Sequence, residues 1–186
     1  LLTSLYGPDT PIGDVGVLCY TNSTRIRTNA KIRKLRYDID YGSPPRQGDL
    51  VICLKNSFKM FFNGMRGCVV DSHKFGEHWF QTRVLFEEDG VELKARLFKH
   101  QFEREKTFFS LNEAAVLFQT TFRNWRELGL LFDFGYCLTV HKAQGSSFKH
   151  TVVIYERRAG VPDVDFKLWL YTETPRASEK PPIVRV

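Results

Sequence analysis

Small, hydroxyl-bearing and basic residues interrupt two apolar runs near the end of the chain, in the order Thr139-Val140-His141-Lys142-Ala143-Gln144-Gly145-Ser146-Ser147. A strand that ends in such a loop presents backbone N–H groups, hydroxyls and a lysine at one sheet edge, a setting suited to phosphates of a nucleotide or a nucleic-acid strand. Further on, Tyr171-Thr172-Glu173-Thr174-Pro175-Arg176-Ala177 sets a single arginine in a hydroxyl-rich segment. Its guanidinium is permanently charged, planar and matched to phosphoryl oxygens. Thr21 and Asn22 follow an apolar run and are candidate ligands for backbone phosphates. Taken alone, a Gly-Ser loop is a weak pattern, and a lone histidine after a strand or an arginine beside a helix is more often structural.

The elements that must hold these groups are legible as patterns. Residues 15–20, 50–54, 134–140, 151–155 and 183–186 read as strands. Runs without strict alternation, such as Leu50-Val51-Ile52-Cys53-Leu54, are what strands buried on both faces look like. The expectation is a three-layer α/β domain with a mainly parallel sheet covered by helices. Ligands of such sheets lie beyond the carboxyl ends of the strands, where Thr21-Asn22 and His141-Lys142 would emerge.

Between Ser23 and Arg36 lie Arg25, Arg27, Lys31, Arg33, Lys34 and Arg36 and no acidic residue, with Ile26, Ala30 and Leu35 placed as an inward helical stripe. Both a solvated basic face and a phosphate-contacting helix fit that pattern. From residue 57 to 107 the character changes to short alternating runs. Residues 79–86 lead into Glu87-Glu88-Asp89-Gly90, and Val91, Leu93, Ala95 and Leu97 alternate with Glu92, Lys94 and Arg96 on the way out, which predicts a hairpin within a small antiparallel, barrel-like insert. Ser110 and Glu113 fit a capping box, and Leu111, Ala114, Ala115, Phe118, Phe122 and Trp125 continue at helical spacing as a core-facing stripe.

Composition sets the outer bounds. With 42% hydrophobic and 14% aromatic residues the chain can bury a core, and its 186 residues suit one domain with a small insert. No run reaches the ~20 apolar residues of a membrane span, and the N-terminus lacks a signal-peptide pattern; no membrane partner and a cytoplasmic setting are expected. Four cysteines, at 19, 53, 68 and 137, and five histidines show no metal-ligand spacing, so no structural metal is expected, and three of the cysteines sit in apolar runs and read as small core residues. A net charge of +6 favours a polyanionic partner without identifying it.

Residues 139–148, TVHKAQGSSF, resemble motif V of superfamily 1 helicases of the RecD and Dda type, usually TVHKxQGxEF, and residues 170–180, LYTETPRASEK, resemble their motif VI, usually YTAxTRAxE. Upstream, Leu18-Cys19-Tyr20-Thr21-Asn22 with Arg25 and Asn29 is similar to the motif IV region, and residues 48–56 with Phe62-Asn63-Gly64-Met65 are similar to the segment after it. The matches stand in family order across most of residues 17–180. They imply the second motor domain, RecA-like and related to P-loop NTPases (the UvrD-like helicase C-terminal domain), over residues 1–56 and 108–186, with an SH3-like β-barrel insert, 2B, at 57–107.

On that resemblance Arg176 is the catalytic arginine reaching the γ-phosphate. Gln144, Gly145 and Ser146 line the nucleotide cleft, and Thr21, Asn22, Arg25, Asn56, Asn63, Thr139, His141 and Lys142 meet DNA. The implied cofactor is ATP with Mg2+, held mainly by an N-terminal RecA-like domain that carries GxxxxGK[ST]. Residues 1–186 contain no Gly-Lys dipeptide, so the piece alone is expected to be inactive, and its start at Leu1-Leu2-Thr3 fits a fragment. Expected partners are single-stranded DNA, the other motor domain, and other recombination or replication proteins in a bacterial or phage-infected cell, with 5′-to-3′ travel. Ser147 stands where the family commonly has glutamate, Pro175 replaces the usual threonine before Arg176, and Pro181-Pro182 interrupts a usual strand. Two other classes remain open: a non-catalytic nucleic-acid-binding module, and a protein-interaction domain with a vestigial nucleotide cleft.

Overall fold

The computed structural model describes residues 6, 14–56, 61–86, 90–106, 109–143, 148–156 and 183–185. The chain forms two compact units, Leu1–Arg36 with Tyr136–Val186, and Tyr37–Gly135.

The first unit is built on a parallel sheet. Strands β1 (Val15–Cys19), β7 (Cys137–Thr139), β8 (His150–Tyr155) and β9 (Ile183–Arg185) lie in the order β7-β1-β8-β9, every neighbouring pair parallel. β1 is buried along its whole length, as its unbroken apolar run requires. The Tyr6 hydroxyl lies 3.3 Å from the carbonyls of both Val15 and Tyr136. Helix α1 (Asn22–Tyr37) follows β1. Thr21 is its N-cap: the hydroxyl accepts from the Thr24 N–H at 3.2 Å while the Thr21 carbonyl takes the Arg25 N–H. Lys34 and Arg36 in the last turn suit the negative end of the helix dipole.

The α1 stripe differs from the expected one. Thr24, Arg25, Ile26, Thr28, Asn29, Ile32 and Arg33 are buried, whereas Leu35 is 40% exposed and Ala30 half-buried. Counting only apolar residues misses this face, because two arginines and three polar residues share it.

The second unit is an antiparallel sheet of β2 (Leu50–Cys53), β3 (Arg66–Phe75), β4 (Trp79–Phe86), β5 (Val91–Phe98) and β6 (Phe132–Phe134), in the order β5-β4-β3-β2-β6. The expected hairpin is present, with Phe86 opposite Val91 and Trp79 opposite Phe98. A register shift between Val69 and Asp71 marks a bulge in β3. The strand order is open, so the sheet is not a closed barrel. An isolated parallel bridge joins Leu97 to Leu130, directly before β6.

Two strand expectations are corrected here. Residues 50–54 read as a strand of the parallel sheet; the strand runs from Leu50 to Cys53 and pairs antiparallel with β3 and β6 instead. The run 134–140 is two strands in two sheets, broken at Gly135, where a Cβ would lie 3.2 Å from the Val51 carbonyl carbon. An apolar run signals burial on both faces but does not encode its partner.

Helices α2 (Leu111–Phe118) and α3 (Trp125–Leu128) lie before β6. The capping box is complete, Ser110 accepting from the Glu113 N–H and Glu113 accepting from the Ser110 N–H. The helix ends sooner than its stripe suggests, at Gln119 with φ 49°. Among the stripe residues of α2, Ala114 is fully buried and Leu111, Ala115 and Phe118 are half-buried. Cys19, Cys53 and Cys137 are buried and Cys68 is half-buried, so three of the four cysteines lie in the core.

Candidate functional site at the carboxyl ends of the parallel strands

In β1 and β7 Cys19 is paired with Thr139, so the residues that follow each strand emerge side by side. Beyond β1 come Thr21, Asn22 and Arg25, and beyond Thr139 comes the short helix α4 (Val140–Ala143). Val140 and Ala143 are buried and anchor that turn, which leaves His141 exposed and Lys142 half-buried. The sheet thereby gathers six of the residues expected to meet DNA at one end of the first unit. Thr139 is 9% exposed, so its neighbours carry most of the accessible surface.

Strand β8 adds a group that the sequence reading missed. Glu156, directly after β8, accepts from the Tyr20 N–H at 2.6 Å, the Thr21 N–H at 3.0 Å and the Thr21 hydroxyl at 2.6 Å, and also from the Thr24 hydroxyl. Burial works to raise its pKa; the hydrogen bonds from Thr21 and Thr24 and the two peptide N–H groups outweigh burial and hold the carboxyl below its ordinary value. A carboxylate at a helix N-terminus is also favoured by the helix dipole. The only sequence signal was an acidic residue placed just past a buried strand.

This geometry bears on the expected roles. The Thr21 N–H and hydroxyl already face a carboxylate. Arg25 is 7% exposed and its Nε donates to Asn22 Oδ1 at 3.1 Å, so its guanidinium is held within the turn. Asn22, His141 and Lys142 are the more accessible members.

Gly145 with Gln144 and Ser146, and the arginine at 176, lie outside the described residues. Phe148, the next described residue after 143, is buried against Gly16: a Cβ on that glycine would sit 2.5 Å from the Phe148 ring. Asn56 and Asn63 lie in the second unit and meet each other, the Asn63 N–H donating to Asn56 Oδ1 at 2.6 Å. There they close the turn that leads to β3 through Gly64, whose φ is 97°. Among the described residues no cluster of three metal-ligating side chains occurs, and no helix is long and apolar enough to cross a membrane.

Residues 134–183 match the family model of the UvrD-like helicase C-terminal domain. No curated protein matches the chain. Among solved structures, the chain is similar to a Pif1 helicase from Bacteroides in complex with ADP-AlF3 and single-stranded DNA, at 17% identity and a TM-score of 0.53 over 99% of this chain and 44% of that one. A Pif1 helicase from Candida albicans has a TM-score of 0.55 at 12% identity, over 96% of this chain and 45% of that one. A structure of two coordinating Pif1 helicases at forked double-stranded DNA has a TM-score of 0.52 at 19% identity, over 99% and 41%. The chain spans less than half the length of these structures. Its fold is the one found in the matched part of Pif1 helicases, and residues 134–183 carry the pattern of a UvrD-like helicase C-terminal domain.

Proposed function

We propose that the chain is the second motor domain of an ATP-dependent, superfamily 1 DNA helicase or translocase of the RecD and Dda type, moving 5′ to 3′ on single-stranded DNA. The observation that carries the reading is the convergence of the β1–α1 turn with the Thr139–Lys142 segment at the carboxyl ends of adjacent parallel strands, the second of which lies inside the stretch that matches a helicase domain. Similar structures that hold single-stranded DNA or ADP-AlF3 support the choice of ligands. On this reading residues 57–107, within the antiparallel sheet, stand for the SH3-like insert 2B.

These residues alone do not fit a whole nucleotide site, because the chain has no Gly-Lys dipeptide to grip β- and γ-phosphates. ATP with Mg2+, bound mainly by the other motor domain, supplies the free energy for movement. This chain's part is electrostatic and positional. Arg176 places a fixed positive charge toward the transferred phosphoryl group. Gln144, Gly145 and Ser146 couple that cleft to the DNA grip of His141 and Lys142, directly upstream in the sequence. Asn22, which the Thr21–Glu156 contact holds at the helix start, adds a neutral backbone ligand. Contacts of this kind tolerate any base sequence.

The test is Arg176→Ala in the longer protein that joins this chain to a GxxxxGK[ST] domain. DNA-stimulated ATP hydrolysis should fall by ~10³ while single-strand binding persists. Unchanged hydrolysis would overturn the motor reading and leave a nucleic-acid-binding module. If binding also proved indifferent to salt, a protein-interaction domain would replace both.

A further inference from the structure

Burial sorts the six cations of α1. Arg25 and Arg33 face inward, Arg36 is half-buried, and Arg27, Lys31 and Lys34 are exposed. At ~100° per residue these three fall within a ~60° sector, and they span ~10 Å along the axis. The Arg27 guanidinium is laid along the helix by a 3.3 Å hydrogen bond from Nη2 to Thr24 Oγ1. No acidic residue interrupts the helix between Asn22 and Tyr37; the nearest acids in sequence, Asp38 and Asp40, lie past its end.

From Ser23 to Arg36 the helix carries no aromatic residue. That choice discriminates between nucleic-acid forms. Single strands are held by stacking bases on aromatic rings as well as by charge, whereas a duplex turns its bases inward and offers a rigid row of phosphates. A helix whose exposed cations stand in one row suits the second. We propose that the outward face of α1, through Arg27, Lys31 and Lys34, docks the phosphodiester backbone of a nucleic-acid duplex. The site is separate from the single-strand ligands Asn22, His141 and Lys142, goes beyond the proposed motor function, and stands whether or not the chain belongs to an ATPase.

The test is fluorescence anisotropy of the full 186-residue chain with a blunt hairpin duplex and with oligo-dT, across a salt series, for wild type and Arg27→Glu/Lys31→Glu. The expected result is a loss of duplex affinity of at least ~10-fold and a log–log salt slope shallower by about 2, near 0.9 per lost phosphate contact, while oligo-dT affinity changes less than ~3-fold. Arg27→Lys/Lys31→Arg should retain duplex binding. The same charge change at exposed positions of the antiparallel sheet, Lys74→Glu/Lys94→Glu, should leave duplex binding within ~3-fold of wild type, which separates a local contact from net charge. An unchanged duplex slope, equal losses on both ligands, or no duplex binding by wild type would overturn the proposal. Loss of oligo-dT binding on His141→Ala, by contrast, tests only the single-strand site, so the two readings fail separately. Binding of phosphatidylserine vesicles in preference to duplex would assign the face to a lipid surface and also overturn it.

Discussion

The Asn29 carboxamide makes two hydrogen bonds to one residue's backbone: Oδ1 accepts from the Cys137 N–H at 2.7 Å and Nδ2 donates to the Cys137 carbonyl at 3.3 Å. β7 is the end strand of the parallel sheet, so α1 supplies with a side chain the partner that another strand would have supplied. The contact fixes α1, and with it the Thr21–Asn22 turn, against the strand that leads to His141. Asn29→Ala would leave a buried peptide N–H without its acceptor and should cost about 1–3 kcal/mol, read as a lower urea midpoint with unchanged m-value.

Glu156 should act as a pH-dependent clamp on the same corner. Its folded pKa lies below the ordinary value, so the stability it contributes is complete above that value and is lost as pH falls through the folded pKa. Glu156→Gln, which keeps the size and loses the charge, should cost about 1–3 kcal/mol near neutrality. The gap to wild type should close in acid. A constant gap from neutrality to strong acid in parallel urea titrations would mean that the carboxylate charge is not what holds the turn.

Gly16 and Phe148 should be coupled. A Cβ at residue 16 would overlap the ring at 2.5 Å, so Gly16→Ala should destabilise by about 1–3 kcal/mol through overpacking. Phe148→Leu in the same chain should recover part of that loss. A double-mutant cycle with no interaction energy would show that the two do not share space.

The His78–His100 pair makes the second unit acid-sensitive. His78 Nδ1 and His100 Nε2 are 2.9 Å apart, which requires one of the two nitrogens to be an unprotonated acceptor. Burial, then the neighbouring His78 and Lys99, holds the His100 pKa below its ordinary value of 6.5. A histidine kept neutral in this way stabilises the fold above its unfolded pKa, and that contribution is lost as pH falls below it. The urea midpoint should therefore drop between about pH 7 and about pH 5, and His100→Gln should flatten the change. Equal acid sensitivity in the variant would assign it to other groups.

What local chemistry specifies was legible. Strands β1 and β8, the β4–β5 hairpin and the Ser110–Glu113 capping box depend on spacings of a few residues, and each stands within a residue of where its pattern put it. The grouping of Thr21–Asn22 with His141–Lys142 also followed, because parallel strands place their carboxyl ends together.

The sequence by itself determined strand and helix identity, the basic character of α1 and the residue types available for phosphate chemistry. Only the tertiary structure decided that residues 50–53 pair antiparallel, that Gly135 divides one apolar run between two sheets, that Arg25 and Arg33 turn inward, and that Glu156 takes the donors of Thr21. The physical reason is separation along the chain. Pairings such as Asn29 with Cys137 and Thr21 with Glu156 join residues more than a hundred positions apart, and neither hydrophobic period nor local propensity carries information about a partner at that distance.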